Sequence, residues 1–166
     1  FNNVIESSRK YNLKHFIFAS SSSVYGNLKK YPYSESQKNL QPISLYGVTK
    51  KENENIAFAY SSNFNLPCTA IRFFTVYGPY GRPDMSLFNF VKNIKNQKKI
   101  NLFNNGDHLR DFTYIDDAIS YLDKVILNIP SKLIPFEIYN ISSGKPIKLK
   151  KFLDIIQEEL NMKAKI

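Results

Sequence analysis

The chain has 166 residues, a formal net charge of +9 and one cysteine. That length suits one domain with its own core, so no disulfide or metal is required as a staple. A lone cysteine, Cys68, makes no internal disulfide and points to a reduced, cytoplasmic protein. No run of about 18 apolar residues reads as a membrane span. Lysine supplies 19 of the 23 basic residues, and asparagine and isoleucine each occur 18 times. An AT-rich coding sequence produces that bias, so the charge alone argues for no polyanionic partner. The lysines stand in scattered pairs without an aromatic-rich RNA-binding motif, and no nucleic-acid or membrane partner is expected.

In chain order, residues 1–18 mix charges into apolar positions and so do not read as a signal peptide. They read as the middle of a helix, over 2–12, followed by an apolar strand at 15–19. Small polar residues at 20–26 follow it, as at the carboxyl end of a buried parallel strand. Residues 27–43, rich in Lys, Pro, Ser and Asn, read as a surface loop. The pattern turns helical over 45–63, with Tyr46, Lys50, Asn53 and Ala57 spaced by three or four. A second buried strand is predicted at 68–74, a Gly/Pro loop at 76–84, a helix at 88–94, a strand at 99–103 and a turn at 104–107. A third strand-like run covers 111–115, and Asp116 is expected to cap a helix ending at Leu127. Residues 138–141 read as a strand, 142–144 as a turn and 149–160 as an amphipathic helix. The chain stops just after that helix, where another strand would be expected; both ends therefore read as cut. Alternating helices and buried strands predict an α/β fold with a mostly parallel sheet.

Two features can do chemistry. Tyr46 and Lys50 lie four apart, so on a helix the phenol and the ammonium share one face. A nearby ammonium favours a phenolate. The serines at 20–23 end a buried strand, and in doubly wound folds ligands bind outside the carboxyl ends of the strands. Hydroxyls there and a Tyr/Lys pair on the next helix would converge on one pocket. Arg72, inside a strand, reads as a structural ion-pair partner. Asp116 and Asp117 read as helix-capping residues, and His15 and His108 lack metal-ligand spacing, so no metal is expected.

Four blocks, SSSSVYG (20–26), YGVTK (46–50), RFFTVYGPYGRPDM (72–85) and RDFTYIDD (110–117), stand in an order and spacing that cover almost the whole chain. Together they resemble the extended short-chain dehydrogenase/reductase family of nucleotide-sugar epimerases and dehydratases, most of all the UDP-glucuronate 4-epimerases. The resemblance implies a Rossmann-like doubly wound parallel sheet, incomplete here, with part of a small C-terminal substrate-binding domain. Residues 1–80 would be the C-terminal part of the NAD-binding domain, and 81–166 a substrate-binding region with returning Rossmann elements. It implies NAD as cofactor, a UDP-sugar as substrate and a homodimer.

By the same resemblance, Tyr46 is the catalytic base, Lys50 holds the nicotinamide ribose and lowers the tyrosine pKa, and Ser21 is the third catalytic member. Ser20 and Phe73 would line the cofactor. Ser22, Ser23 and Thr75 would face the sugar, Arg110 the diphosphate and Arg82 the sugar C6 carboxylate, unless Arg82 anchors its own loop. Phe103 would border the uracil or pack in the core. Sugar 4,6-dehydratases and UDP-glucuronate decarboxylases carry carboxylates where this chain has Ser22 and Ser23, which disfavours both chemistries; UDP-glucose 4-epimerase is separated only by Thr75 and the Arg82 block. The family's Gly-x-x-Gly-x-x-Gly pyrophosphate turn does not occur among the six glycines. The isolated chain is therefore expected to bind NAD weakly or not at all, and to be an inactive fragment by itself.

Overall fold

The computed structural model describes residues 1–166. The chain forms two units, one of Phe1–Phe74 with Ala118–Ile141, the other of Thr75–Asp117 with Ser142–Ile166.

The first unit is built on a three-stranded parallel sheet. Its strands are β1 (Phe16–Ser21), β2 (Cys68–Phe73) and β6 (Phe136–Ile141), in the order β1-β2-β6. Their register is even, so Ser21, Phe73 and Ile141 end the sheet in one row. β2 lies in the middle and buries its first five residues, as expected of a strand covered on both faces. Helices α1 (Asn2–Lys10) and α2 (Leu45–Phe64) cover it. The core joins Ile5 of α1 and Ala57 of α2 to Phe16, Phe18, Leu66, Cys68 and Ala70. α2 starts where the Ser44 hydroxyl accepts the Gly47 amide at 3.0 Å, and stops at Asn65 in the left-handed conformation.

In the second unit, β3 (Thr75–Tyr77) pairs in parallel with β5 (Phe112–Tyr114), and β4 (Leu109–Arg110) antiparallel with β7 (Ile147–Lys148). Helices α3 (Ser86–Lys95) and α5 (Leu149–Leu160) enclose a core of Phe90, Ile94, Ile100, Phe152, Leu153 and Ile156. Phe112 stacks on Phe152 with centroids 3.9 Å apart. α4 (Ile115–Leu127) begins among residues of this unit and continues into the first. No helix is long and apolar enough to cross a membrane.

Three local expectations change. The segment expected to be loop throughout 76–84 opens with β3, because Thr75, Val76 and Tyr77 are strand formers and the glycines begin only at Gly78. The strand expected at 99–103 reduces to a single bridge from Lys99 to Lys165, with the Ile100 amide donating to the Lys165 carbonyl at 2.7 Å. A 3-10 turn takes over at Phe103–Gly106, where Asn104 and Asn105 adopt the left-handed conformation that asparagine tolerates. Asp116 is not the cap of α4. The helix starts at Ile115, so Asp116 and Asp117 lie in its first turn, where carboxylates complement the helix dipole.

Candidate functional site

The site expected from the sequence begins at the end of β1. Ser21 caps a short 3-10 turn over Ser22–Tyr25; its hydroxyl oxygen accepts the Ser23 amide at 3.1 Å and donates to the Ser23 hydroxyl at 3.2 Å. α2 lies close against that turn. A β-carbon on Gly47 would stand 2.7 Å from the Ser23 carbonyl oxygen and 2.9 Å from Pro42 Cβ, so only glycine permits this approach beside Tyr46.

Tyr46 and Lys50 share one face of α2. The Tyr46 side chain is 55% exposed, leaving its phenol open to a ligand. Lys50 Nζ lies 5.6 Å from the Tyr46 ring centroid and donates to the Ala19 carbonyl at 2.9 Å. One of three ammonium donors is therefore committed to the carboxyl end of β1, and two remain available to a ligand. Phe73 ends the neighbouring strand, half-buried and in register with Ser21. Ser22 and Ser23 are half-buried in the 3-10 turn.

Ser20 is placed differently from the cofactor contact expected of it. It is buried, and its hydroxyl donates to Glu54 Oε1 at 2.6 Å, so the side chain is turned into the interior of the unit. Glu54 is the group that the sequence reading missed. It lies one turn beyond Lys50 on α2, 1% exposed, and accepts from Arg72 Nε and Nη2 at 2.8 Å each. Arg72 is thus the ion-pair partner expected of it. Its remaining arm donates to the Tyr25 hydroxyl at 2.9 Å, and Tyr25 donates to Asn140 Oδ1 at 2.9 Å. Burial pushes the Glu54 carboxyl up, but hydrogen bonds from Arg72 and Ser20 outweigh it and hold the group below the usual range. For the Tyr25 phenol burial wins, and its pKa is raised despite Arg72. The available signal for Glu54 was its spacing, since Tyr46, Lys50 and Glu54 continue one stripe at intervals of four.

The other expected residues belong to the second unit. Thr75 opens β3, half-buried, its amide donating to the Asp111 carbonyl at 3.1 Å. Asp111 is buried; its Oδ1 accepts the Ser143 amide at 2.7 Å and the Thr113 hydroxyl at 3.2 Å. The predicted 111–115 run is a strand only at Phe112–Tyr114, β5, with Asp111 turned inward before it and Ile115 opening α4. Arg82 is exposed and makes a two-point contact with Asp84, Nε to Oδ1 at 3.0 Å and Nη2 to Oδ2 at 2.5 Å. Arg110 is exposed on β4. Phe103 is 87% exposed and lies outside the core that these 166 residues form.

The donor set in the first unit fits one end of a dinucleotide. An anchored ammonium with free donors, an open phenol and a half-buried aromatic ring suit a ribose and a planar base at the carboxyl end of a parallel sheet. Nothing in the chain offers a glycine-rich turn for the pyrophosphate.

Comparison with known proteins identifies the family and the fold. The model of the NAD dependent epimerase/dehydratase family matches residues 1–142. Protein CapI of Staphylococcus aureus is 42% identical over 99% of this chain and 54% of its own length. UDP-glucuronate 4-epimerase 5 of Arabidopsis thaliana is 43% identical over 99% of the chain and 41% of its own length. The chain thus spans about half the length of such relatives. The solved UDP-glucuronic acid 4-epimerase from Bacillus cereus, in complex with UDP-glucuronic acid and NAD, superposes with a TM-score of 0.83 at 33% identity, over 98% of this chain and 50% of that one. With its parallel sheet, its Tyr/Lys pair at the sheet's carboxyl end and a family match over residues 1–142, the chain belongs to the NAD dependent epimerase/dehydratase family.

Proposed function

We propose that this chain forms the catalytic half of a nucleotide-sugar 4-epimerase that interconverts UDP-glucuronate and UDP-galacturonate. The observation that carries the reading is the Lys50 ammonium, tied to the Ala19 carbonyl and standing beside the exposed Tyr46 phenol on one face of α2. The Arabidopsis relative, named a UDP-glucuronate 4-epimerase, supports the substrate.

In this reading the Tyr46 phenol oxygen takes the proton from the sugar 4-hydroxyl and later returns it, as a general base and then a general acid. Lys50 supplies positive charge beside that oxygen and holds the nicotinamide ribose with its free donors. Ser21 hydrogen-bonds the 4-hydroxyl once its own hydroxyl turns from Ser23. When bound, NAD supplies the hydride acceptor and donor at sugar C4. The sugar turns over as a 4-keto species before its oxygen is reprotonated. Roles in the second unit rest on the resemblance: Arg110 for the diphosphate, Thr75 for the sugar, Phe103 for the uracil and Arg82 for the C6 carboxylate. Ser22 and Ser23 carry no carboxylate, so neither water elimination nor decarboxylation has an acid–base group there. The whole enzyme is read as a homodimer, supported by apolar side chains left exposed on α1 and α2, Val4, Phe58 and Phe64 among them.

One observation favours a second reading. The Arg82 guanidinium meets Asp84, a carboxylate of its own loop, which suits a loop anchor and hence UDP-glucose 4-epimerase. Incubating the protein that carries this chain with each UDP-sugar, and following products by proton NMR, tests the choice. We expect UDP-galacturonate from UDP-glucuronate; conversion of UDP-glucose alone would replace the first reading by the second.

A further inference from the structure

The proton chemistry uses Tyr46, Lys50 and Ser21 but leaves the buried Glu54–Arg72 pair without a role. Stability is a poor explanation, because the cost of desolvating two charges offsets most of their attraction in the interior. What a bidentate pair does supply is orientation, since the planar guanidinium has five donors in a rigid fork and meets a carboxylate edge-on.

That orientation bears directly on α2. Glu54 stands one turn from Lys50 and two turns from Tyr46 on the same stripe. Its carboxylate is gripped by a guanidinium rooted in β2 and by the hydroxyl of Ser20. Ser20 lies between Ala19, whose carbonyl takes Lys50, and Ser21. α2 is therefore fastened to two successive residues at the end of β1 and, through the fork, to the middle strand. Lys51 Nζ adds a contact to Glu54 Oε2 at 3.3 Å. The same guanidinium reaches the 3-10 turn through Tyr25, which stacks on Tyr33 at 4.4 Å and bonds Asn140 of β6.

We propose that the Glu54–Arg72 pair is a positioning device: it sets the rotation and height of α2 so that Lys50 and Tyr46 stand at the carboxyl end of β1 beside Ser21. Glu54 and Arg72 act through α2 and touch no reacting atom. The kinetic consequence rests on the epimerase reading; the geometric one does not.

Two variants of the protein that carries this chain test it. R72K keeps the charge but removes the fork. E54L/R72M removes both charges in favour of apolar side chains, and serves should R72K fail to fold. Each is followed by circular dichroism, crystal structure and steady-state kinetics. The proposal expects a folded protein in which Lys50 Nζ has left hydrogen-bonding reach of the Ala19 carbonyl. It expects kcat on UDP-glucuronate to fall by about 100-fold, the scale of an ångström misplacement, with KM changed less than about twofold. A merely structural pair would not split kcat from KM in this way. A folded variant that keeps the Lys50–Ala19 contact, or keeps full kcat, overturns the proposal. If the unsubstituted protein turns over no UDP-sugar, the epimerase reading fails, and the Lys50–Ala19 distance in the variants still decides the positioning claim.

Discussion

Glu54 holds a full negative charge at 1% exposure, which only a matched cation makes tolerable. Its folded pKa lies below the ordinary carboxylate value, so the unfolded chain takes up the proton more readily than the native one. The stability it contributes is complete above the ordinary value of about 4.3 and is lost as the pH falls through the lowered folded value. Urea unfolding of the 166-residue chain, measured from about pH 6 to about pH 3, should show this acid-linked loss. Glu54→Gln should flatten it, lowering stability by ~3–5 kcal/mol near pH 6, where Arg72 loses its counter-charge, and by less as the pH falls toward 3. An unchanged pH slope in the variant would remove Glu54 from the account. The sequence made Tyr46 and Lys50 legible because a four-residue spacing is local information. It also marked Arg72 as half of an ion pair, but the other half lies 18 residues away on a different element, and only the packing of α2 on β2 joins them.

At the scale of elements, what was legible follows from pattern. α5 runs over Leu149–Leu160 as its amphipathic period predicts, and β1, β2 and β6 are apolar runs long enough to announce themselves. β3 was hidden by the Gly/Pro content of the residues after it. The 99–103 run has strand formers but only a single bridging residue as neighbour, which no local pattern reveals. The start of α2 offers a test with opposed signs. Helix propensity alone says that Gly47→Ala should stabilise by ~1 kcal/mol. The close approach to the Ser23 carbonyl says the reverse, a loss of ~1–3 kcal/mol by overpacking. Thermal unfolding of the variant should show a lower Tm; a higher one would mean that α2 does not press on the 3-10 turn.

For the whole molecule, the chain leaves its first unit after Phe74 and returns to it at Ala118, and it spans about half the length of its relatives. The residues suited to a nicotinamide ribose are here, whereas no glycine-rich turn is available for the pyrophosphate. Titrating NAD into the purified 166-residue chain, followed by calorimetry, should therefore show no saturable binding at micromolar cofactor. A low-micromolar Kd would mean that the pyrophosphate finds another cradle in this chain. The central claim, that the Tyr46 phenol moves the sugar proton, is tested most directly by Tyr46→Phe in the protein that carries this chain, measuring turnover of UDP-glucuronate beside binding of UDP. The account predicts that turnover falls by at least ~100-fold, the lower bound set by losing a general acid–base group, while UDP binding is kept. Turnover that survives the loss of the phenol oxygen would contradict it.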